Sequence, residues 1–275
     1  MASAPATALP RGRRAEVRLR GARLLPALLT TAAVLGLIEL LTRANVLPRE
    51  SFPPVSEVLR TLADEARTER FWRAVRETLE GWALGLGIAA AWAIPFGVVL
   101  GSNWYAYRGT RGIVEFLRPI PSVALIPLAV LVYGTGMDSK VFLAVYASSW
   151  PLLIQTLYGV RDVDPVAIDT ARAFGLRRHE RFLRVTLPSA LPYIATGLRI
   201  SSATALILVV TAELVIGSPG LGAEIAVAQS SGATALMYAL IGATGLLGWL
   251  LNVAFARLER RALHWHASQR REASA

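Results

Sequence analysis

The polar segment from Asp164 to Pro188 carries the most specific arrangement of residues in the chain. It lies between two long apolar runs, and Asp164-Pro165 suits the first turn of a helix. Gly175 permits a sharp turn before a second, basic helix from Arg177 to Val185. The small Ala171 and Ala173 and the apolar Phe174 would let another protein dock on this elbow; the alternative is an ordinary amphipathic loop between the two apolar runs. The candidate site residues of this segment are Asp169, Thr170, Ala171, Ala173, Phe174, Gly175, Val185, Leu187 and Pro188.

Residues that would support catalysis do not form a recognisable site. A phosphate-binding loop needs Lys after Gly and before Ser or Thr, but the only Lys, Lys140, lies between Ser139 and Val141. His179-Glu180 begins like a zinc-protease helix, yet no second His follows at the required spacing. The chain has no Cys. We therefore predict no catalytic residue, metal or cofactor, and no ATP hydrolysis by this chain.

Composition indicates a membrane protein. Hydrophobic residues make up 54% of the chain and charged residues only 17%, with a mean hydropathy of +0.46. Soluble domains carry about 25% charged residues. The net charge of +10 is compatible with nucleic-acid binding, but the arginines cluster at the ends of apolar runs and lack interleaved aromatic residues. We therefore do not expect a nucleic-acid partner.

Apolar runs near the length of about 20 residues that crosses a bilayer predict an all-α, polytopic protein with about six spans. Pro119, Pro121 and Pro127 fall in the third run and predict a kink there. Gly81-Gly85 and Gly97-Gly101 have the spacing of close helix packing, more within one subunit than between copies. The predicted spans are 24–43, 78–101, 115–134, 139–160, 190–216 and 235–256.

Loop charges predict the orientation of the spans. The N-terminus, the elbow and the C-terminal tail are rich in Arg, whereas the loops at 134–139 and 217–234 contain no Arg or Lys. The excess of positive charge on the cytoplasmic side places both termini and the elbow inside, and 44–77 outside. The domain prediction is a disordered basic cytoplasmic segment 1–22, a transmembrane domain 23–260 with a cytoplasmic coupling loop 161–188, and a cytoplasmic tail 261–275.

The elbow resembles the EAA loop of the permease subunits of bacterial ABC importers. The family pattern is Glu-Ala-Ala, three residues, Gly, nine residues, an aliphatic residue, one residue and Leu-Pro. The chain keeps this spacing, with Asp169 in place of Glu and Thr170 in place of Ala. Further likeness to the nitrate, sulfonate and taurine branch lies in the segment from Leu117 to Leu128, and in Ala212-Glu213-Leu214 and Gly220-Leu221-Gly222.

The resemblance implies a type I importer permease in the bacterial inner membrane, embedded in the lipid bilayer. It implies three protein partners: an ABC ATPase that binds the elbow, an extracytoplasmic solute-binding protein, and a second permease copy, expected to be identical. The expected solute is a small anion, most of all an aliphatic sulfonate, taurine or nitrate. The same branch contains permeases for pyrimidine vitamin precursors, of the thiamine-precursor or riboflavin type, which remain an alternative.

Ionisable residues inside predicted spans are candidates for the translocation path. Arg199 and Glu213 lie in the fifth span, and a desolvated Arg pairs well with oxyanions. A structural salt bridge is an equally good interpretation of both. An ion-gradient-driven secondary transporter is the alternative from another class. It would be expected to show broken helices in two matching halves, and the sequence does not show them.

Overall fold

The computed structural model describes residues 12–263, and among these the side chains of Pro26 and of residues 29–263. The described residues contain helices and no β-strand, which confirms the all-α prediction. A 3₁₀ turn at Ser122–Leu125 and a π turn at Phe182–Thr186 interrupt the α-helices. The helices are α1 (Gly12–Arg43), α2 (Val55–Glu65), α3 (Glu69–Ser102), α4 (Trp104–Leu117), α5 (Ile126–Tyr133), α6 (Met137–Arg161), α7 (Pro165–Ala173), α8 (Arg178–Arg181), α9 (Leu187–Ile216), α10 (Leu221–Ser230) and α11 (Thr234–Ala262).

The chain divides into two compact units, residues 1–61 and 62–275. In the first, the Glu39 carboxylate near the end of α1 pairs with Arg43 at 2.6 Å. It also accepts hydrogen bonds from the backbone N–H of Ser56 at 3.1 Å and from its hydroxyl at 2.8 Å. These contacts fold the start of α2 back onto the end of α1.

Helix α1 contains the predicted first span, 24–43, which stays a prediction. The helix begins at Gly12, inside the segment 1–22 that the composition assigned to a disordered terminus. Residues 1–11 of that segment, and residues 264–275 of the predicted tail, lie outside the described residues.

Four of the described helices, α3, α6, α9 with its preceding turns, and α11, are long and apolar enough to cross a membrane. They coincide with the predicted spans 78–101, 139–160, 190–216 and 235–256, and each helix extends past the predicted bounds at one end or both. The described helices therefore support four spans, or five if the bent pair described next is one span.

The predicted span 115–134 covers the end of one helix and a second helical segment that is bent away from it. Helix α4 ends at Leu117, and the 3₁₀ turn and α5 continue from Ser122 at an angle of 82° to it. Pro119 and Pro121 have no N–H to donate to the preceding turn, so the helix cannot run through them. Pro127 lies in the first turn of α5, where the missing N–H has no intrahelical acceptor. The predicted kink is confirmed.

Helix α6 lies between α3 and α9 and packs closely against both. A side-chain carbon on Gly85 of α3 would lie 2.5 Å from the Cβ of Ala144, and one on Gly97 would lie 2.8 Å from the Cβ of Thr156. The two helices therefore run in the same direction with backbones nearly in contact, and the small residues pack within the subunit as predicted. Helix α9 runs the opposite way, and the Ser201 hydroxyl donates to the Ser148 carbonyl at 2.6 Å.

Candidate functional site

The first half of the elbow is the short helix α7, whose start is fixed by its own side chains. The Asp164 carboxylate accepts a hydrogen bond from the Val166 N–H at 2.8 Å, and Pro165 occupies the first helical turn. Both features satisfy or remove N–H groups that have no partner at a helix start. The predicted helix start at Asp164-Pro165 is thereby confirmed.

Gly175 ends α7 in a left-handed conformation with φ of +75°. The Gly175 N–H donates to the Arg172 carbonyl at 2.9 Å, and the Leu176 N–H donates to the Ala171 carbonyl at 3.1 Å. This pair of hydrogen bonds is the Schellman arrangement, in which a residue without a Cβ is strongly preferred at the turning position. The sharp turn that the sequence indicated therefore exists, with a defined geometry.

The elbow presents apolar side chains that no described residue covers. Phe174 is 80% exposed, and Val166 and Leu183 are also largely exposed. Asp169 pairs with Arg172 at 2.9 Å on the surface of α7, while Ala171 is buried beneath it. Of the remaining predicted contact residues, Thr170 and Ala173 are exposed, and Val185, Leu187 and Pro188 are half-buried.

The second half of the elbow is not separated from the span that follows. Glu180 accepts a hydrogen bond from the Arg177 N–H at 2.8 Å and so starts α8. The chain then passes through the π turn, where the Leu187 N–H donates to the Phe182 carbonyl, directly into α9. Pro188 has no N–H, and the wider π turn accommodates its ring without ending the helix. Arg178 to Ile216 is thus one helical rod.

Arg199, predicted to lie in the translocation path, is near a carboxylate of another helix. Its Nη1 atom lies 3.4 Å from Oε2 of Glu259 on α11, and its side chain is 41% exposed. The structure therefore gives Arg199 an acidic partner, as the salt-bridge interpretation anticipated. A role for Arg199 in the path stays a prediction.

Glu213, the second predicted path residue, is completely buried against Lys140. The Lys140 ammonium donates to Glu213 Oε1 at 2.9 Å, to the Glu77 carbonyl at 3.0 Å and to the Pro219 carbonyl at 2.7 Å. All three of its N–H groups are therefore used. Ser139-Lys140 belongs to the likeness with the nitrate, sulfonate and taurine branch, but the sequence did not indicate that Lys140 is the partner of Glu213.

The other oxygen of Glu213 secures the start of α10. Glu213 Oε2 accepts from the Thr78 hydroxyl at 2.9 Å and from the Gly222 N–H at 3.1 Å. Thr78 in turn accepts from the Leu221 N–H at 2.9 Å. A Cβ on Gly222 would collide with the Val210 carbonyl of α9, which explains the small residue there. One buried ion pair thus joins α3, α6, α9 and α10.

Comparison with known proteins agrees with this arrangement. The profile of the family described as "Binding-protein-dependent transport system inner membrane component" matches residues 93–264. The chain belongs to this family. The matched region includes the elbow, the buried ion pair and every described helix from α4 onward. The protein is thus a membrane transport subunit, and an ion-gradient-driven transporter is not favoured.

Several curated relatives of this permease carry names within the predicted branch. It is 33% identical to the taurine transport system permease protein of Escherichia coli (strain K12) over 78% of this chain and 80% of the relative. It is 30% identical to the nitrate import permease protein of Leptolyngbya laminosa, over 70% of this chain and 69% of the relative. A putative aliphatic sulfonates transport permease protein of E. coli (strain K12) is 33% identical over 56% of this chain and 58% of the relative.

Solved structures show that the permease has the fold of ABC importers. A chain of the MetNI methionine ABC transporter, in an inward-facing conformation, superposes with a TM-score of 0.62 at 22% identity. The match covers 72% of this chain and 98% of that one. A chain of an amino acid ABC transporter superposes with a TM-score of 0.58 at 18% identity, over 72% of this chain and 94% of that one. These likenesses confirm the predicted fold class.

Replacing Lys140 should destabilise the permease strongly. In Lys140→Met the Glu213 carboxylate stays buried without its cation, and breaking such a pair costs about 3–5 kcal/mol. The measurement is unfolding of the purified protein by denaturing detergent, followed by tryptophan fluorescence. The control is Arg76→Met, since Arg76 pairs with Glu80 at 3.9 Å on an exposed surface. Equal stability of the two variants would show that the buried pair does not hold the helices together.

Proposed function

We propose that this permease forms the translocation path of an ABC importer for a small oxyanion, most of all an aliphatic sulfonate, taurine or nitrate. The observation that carries this proposal is the similarity, at 30–33% identity, to relatives named for taurine, nitrate and aliphatic sulfonates. All three solutes present several oxygen atoms that share a negative charge. A path that serves them needs hydrogen-bond donors and positive charge at the bottleneck.

The coupling loop 161–188, which contains the elbow, is proposed to bind a separate ABC ATPase. Phe174 supplies an exposed apolar side chain beside the Schellman turn, and Asp169 and Arg172 supply a charged pair on the adjacent helix surface. Aromatic side chains that insert into a partner pocket dominate the energetics of many interfaces. The other partners proposed are an extracytoplasmic solute-binding protein and a second copy of the permease.

The continuous rod from Arg178 to Ile216 supplies a direct mechanical link for this coupling. Movement of the elbow by the ATPase would be transmitted along α9 to α6, against which α9 packs. The permease would alternate between two states if the ATPase binds one of them more tightly than the other. Equal affinity for both states would leave the equilibrium between them unchanged. ATP hydrolysis in this scheme belongs to the partner.

Asp at position 175 should uncouple uptake from ATP hydrolysis. Gly175 has φ of +75°, and a Cβ there would meet no described atom, so a carboxylate would project from the turn into the ATPase contact. An unpaired charge desolvated in an interface costs several kcal/mol, so Gly175→Asp should lower uptake by at least about tenfold. The measurement is solute uptake together with co-purification of the ATPase.

Gly175→Asn is the matched control for this substitution, because Asn also adopts the left-handed conformation but carries no charge. It should retain most of the uptake that Gly175→Asp loses. Wild-type uptake in Gly175→Asp would show that the elbow does not contact the ATPase at this turn.

The loop charges support an orientation with the elbow in the cytoplasm and residues 44–77 outside. Because the chain has no Cys, single substitutions report accessibility without background. Glu57 and Arg178 are both exposed, so Glu57→Cys and Arg178→Cys suit this purpose. In intact spheroplasts an impermeant thiol reagent should label Glu57→Cys only. Labelling of Arg178→Cys alone would show that the orientation is inverted.

Deletion of the permease gene should abolish growth on ethanesulfonate or taurine as sole sulfur source, or on nitrate as sole nitrogen source. Growth with sulfate and ammonium should be unaffected, since those solutes do not need this path. The measurement is growth rate with and without a plasmid copy of the gene. A defect confined to media that require a pyrimidine vitamin precursor would overturn the oxyanion proposal and favour that alternative.

A further inference from the structure

The break between α4 and α5 lies beside the middle of α6. The Tyr146 hydroxyl donates to the carbonyl of Leu117, the last residue of α4, at 2.8 Å. At one end of α6 the Arg161 guanidinium lies 4.2 Å from the centre of the Tyr107 ring of α4. At the other end the Ser139 hydroxyl donates to the Ala129 carbonyl of α5 at 3.2 Å. The two helices therefore follow α6 along its length, and their break falls near its midpoint.

A cavity of about 420 Å³ opens at this break. Arg118 and Ser122 line it from the break itself, Trp150 and Gln155 line it from α6, and Ile200 lines it from α9. No Asp or Glu is among its lining residues. Ligand sites are concavities of about 300–1,000 Å³ that combine apolar walls with a few convergent polar groups, and this cavity has that composition.

The polar side chains of this cavity lack partners. Trp150 Nε1 is buried without a hydrogen bond. Among residues whose side chains are described, none forms a hydrogen bond or ion pair with the side chains of Arg118, Ser122 or Gln155. Each of the four residues carries at least one N–H or O–H donor, and Arg and Trp are donors only. Among these donors Trp150 Nε1 is the buried one, and a bound acceptor would recover the free energy lost by leaving it unsatisfied.

Comparison with neighbouring arginines distinguishes Arg118. Arg111, two turns earlier on α4, pairs with Glu115 at 2.7 Å, and Arg199 approaches Glu259 at 3.4 Å. Arg118 has no such carboxylate among the described residues, so its charge remains available to a solute. The Trp150 ring is held edge-to-face by Tyr146, with ring centres 5.6 Å apart, so the indole is positioned before any solute arrives.

We propose that this cavity, defined by Arg118, Ser122, Trp150 and Gln155, binds the oxyanion group of the transported solute. The inference rests on the proposed function and names the residues that would perform it. The guanidinium offers two parallel N–H groups to a sulfonate or nitrate, and the indole, hydroxyl and amide supply the remaining donors. Because no carboxylate lines the cavity, a cationic solute finds no counter-charge there. The broken span exposes these groups midway along α6, as discontinuous helices do at transporter sites.

A single cysteine at position 200 tests this proposal in the full-length protein, co-purified with its ATPase in lipid nanodiscs. Ile200→Cys is modified either by the anionic 2-sulfonatoethyl methanethiosulfonate or by the cationic 2-(trimethylammonio)ethyl analogue. The measured quantity is the rate of modification by the anionic reagent divided by the rate for the cationic one. Arg118→Gln should lower this ratio by about tenfold, which is the effect of removing one nearby positive charge. Ethanesulfonate and nitrate should slow the modification, whereas choline should not.

Two further variants keep the test decisive. Arg118→Lys retains the charge without the planar fork, so it should preserve the reagent ratio but weaken protection by ethanesulfonate. Arg111→Gln with Glu115→Gln removes a neighbouring ion pair and should change neither quantity. An unchanged ratio and unchanged protection in Arg118→Gln would overturn the site. If the gene deletion still abolished growth on sulfonate or nitrate, the proposed function would stand without this cavity as its binding site. If growth of the deletion strain were normal, the proposed function and the binding site would both be wrong.

Discussion

Close packing of α6 between α3 and α9 is the constraint on which the rest of the structure depends. In lipid the hydrophobic effect does not drive helices together, so association relies on van der Waals contact and interhelical hydrogen bonds. Glycines on α3 and α9 bring the backbones to within contact of α6, at Gly85, Gly97 and Gly197. With α6 fixed on both sides, every group it carries has a defined position, which is what a buried ion pair and a solute cavity require.

The two polar features of α6 differ in how completely their hydrogen bonds are satisfied. Lys140 has three acceptors and a buried counter-charge, so its site is closed and its contribution is structural. Trp150, near the middle of the same helix, is half-buried, and its buried Nε1–H has no acceptor beside the exposed, unpaired Arg118. A buried polar group without a partner is costly, and proteins tolerate such groups mainly at functional sites. On the same helix, Lys140 with all its hydrogen bonds made belongs to the scaffold, and Trp150 with its N–H unused belongs to the proposed path.

The second half of the elbow continues into this scaffold as one helix. The Schellman turn at Gly175 fixes the angle between α7 and α8, and the π turn passes the chain into α9 without ending the helix. From Arg178 onward, continuous hydrogen-bonded helix links the elbow to the Ser201 contact with α6. A helical connection is well suited to coupling two distant sites, because packed helices shift as units and do not deform gradually.

The sequence by itself determined the all-α fold, four of the membrane-spanning helices, the kink at Pro119–Pro121 and the turn at Gly175. These depend on apolar run length and on backbone chemistry within one or two turns, which neighbouring residues already specify. Only the tertiary structure decided that Lys140 pairs with Glu213, that Arg199 approaches Glu259 and that Arg118 faces a cavity with Trp150. Those partners are far apart in the chain, and which helix faces meet is set by the packing of whole helices, which local spacing does not encode.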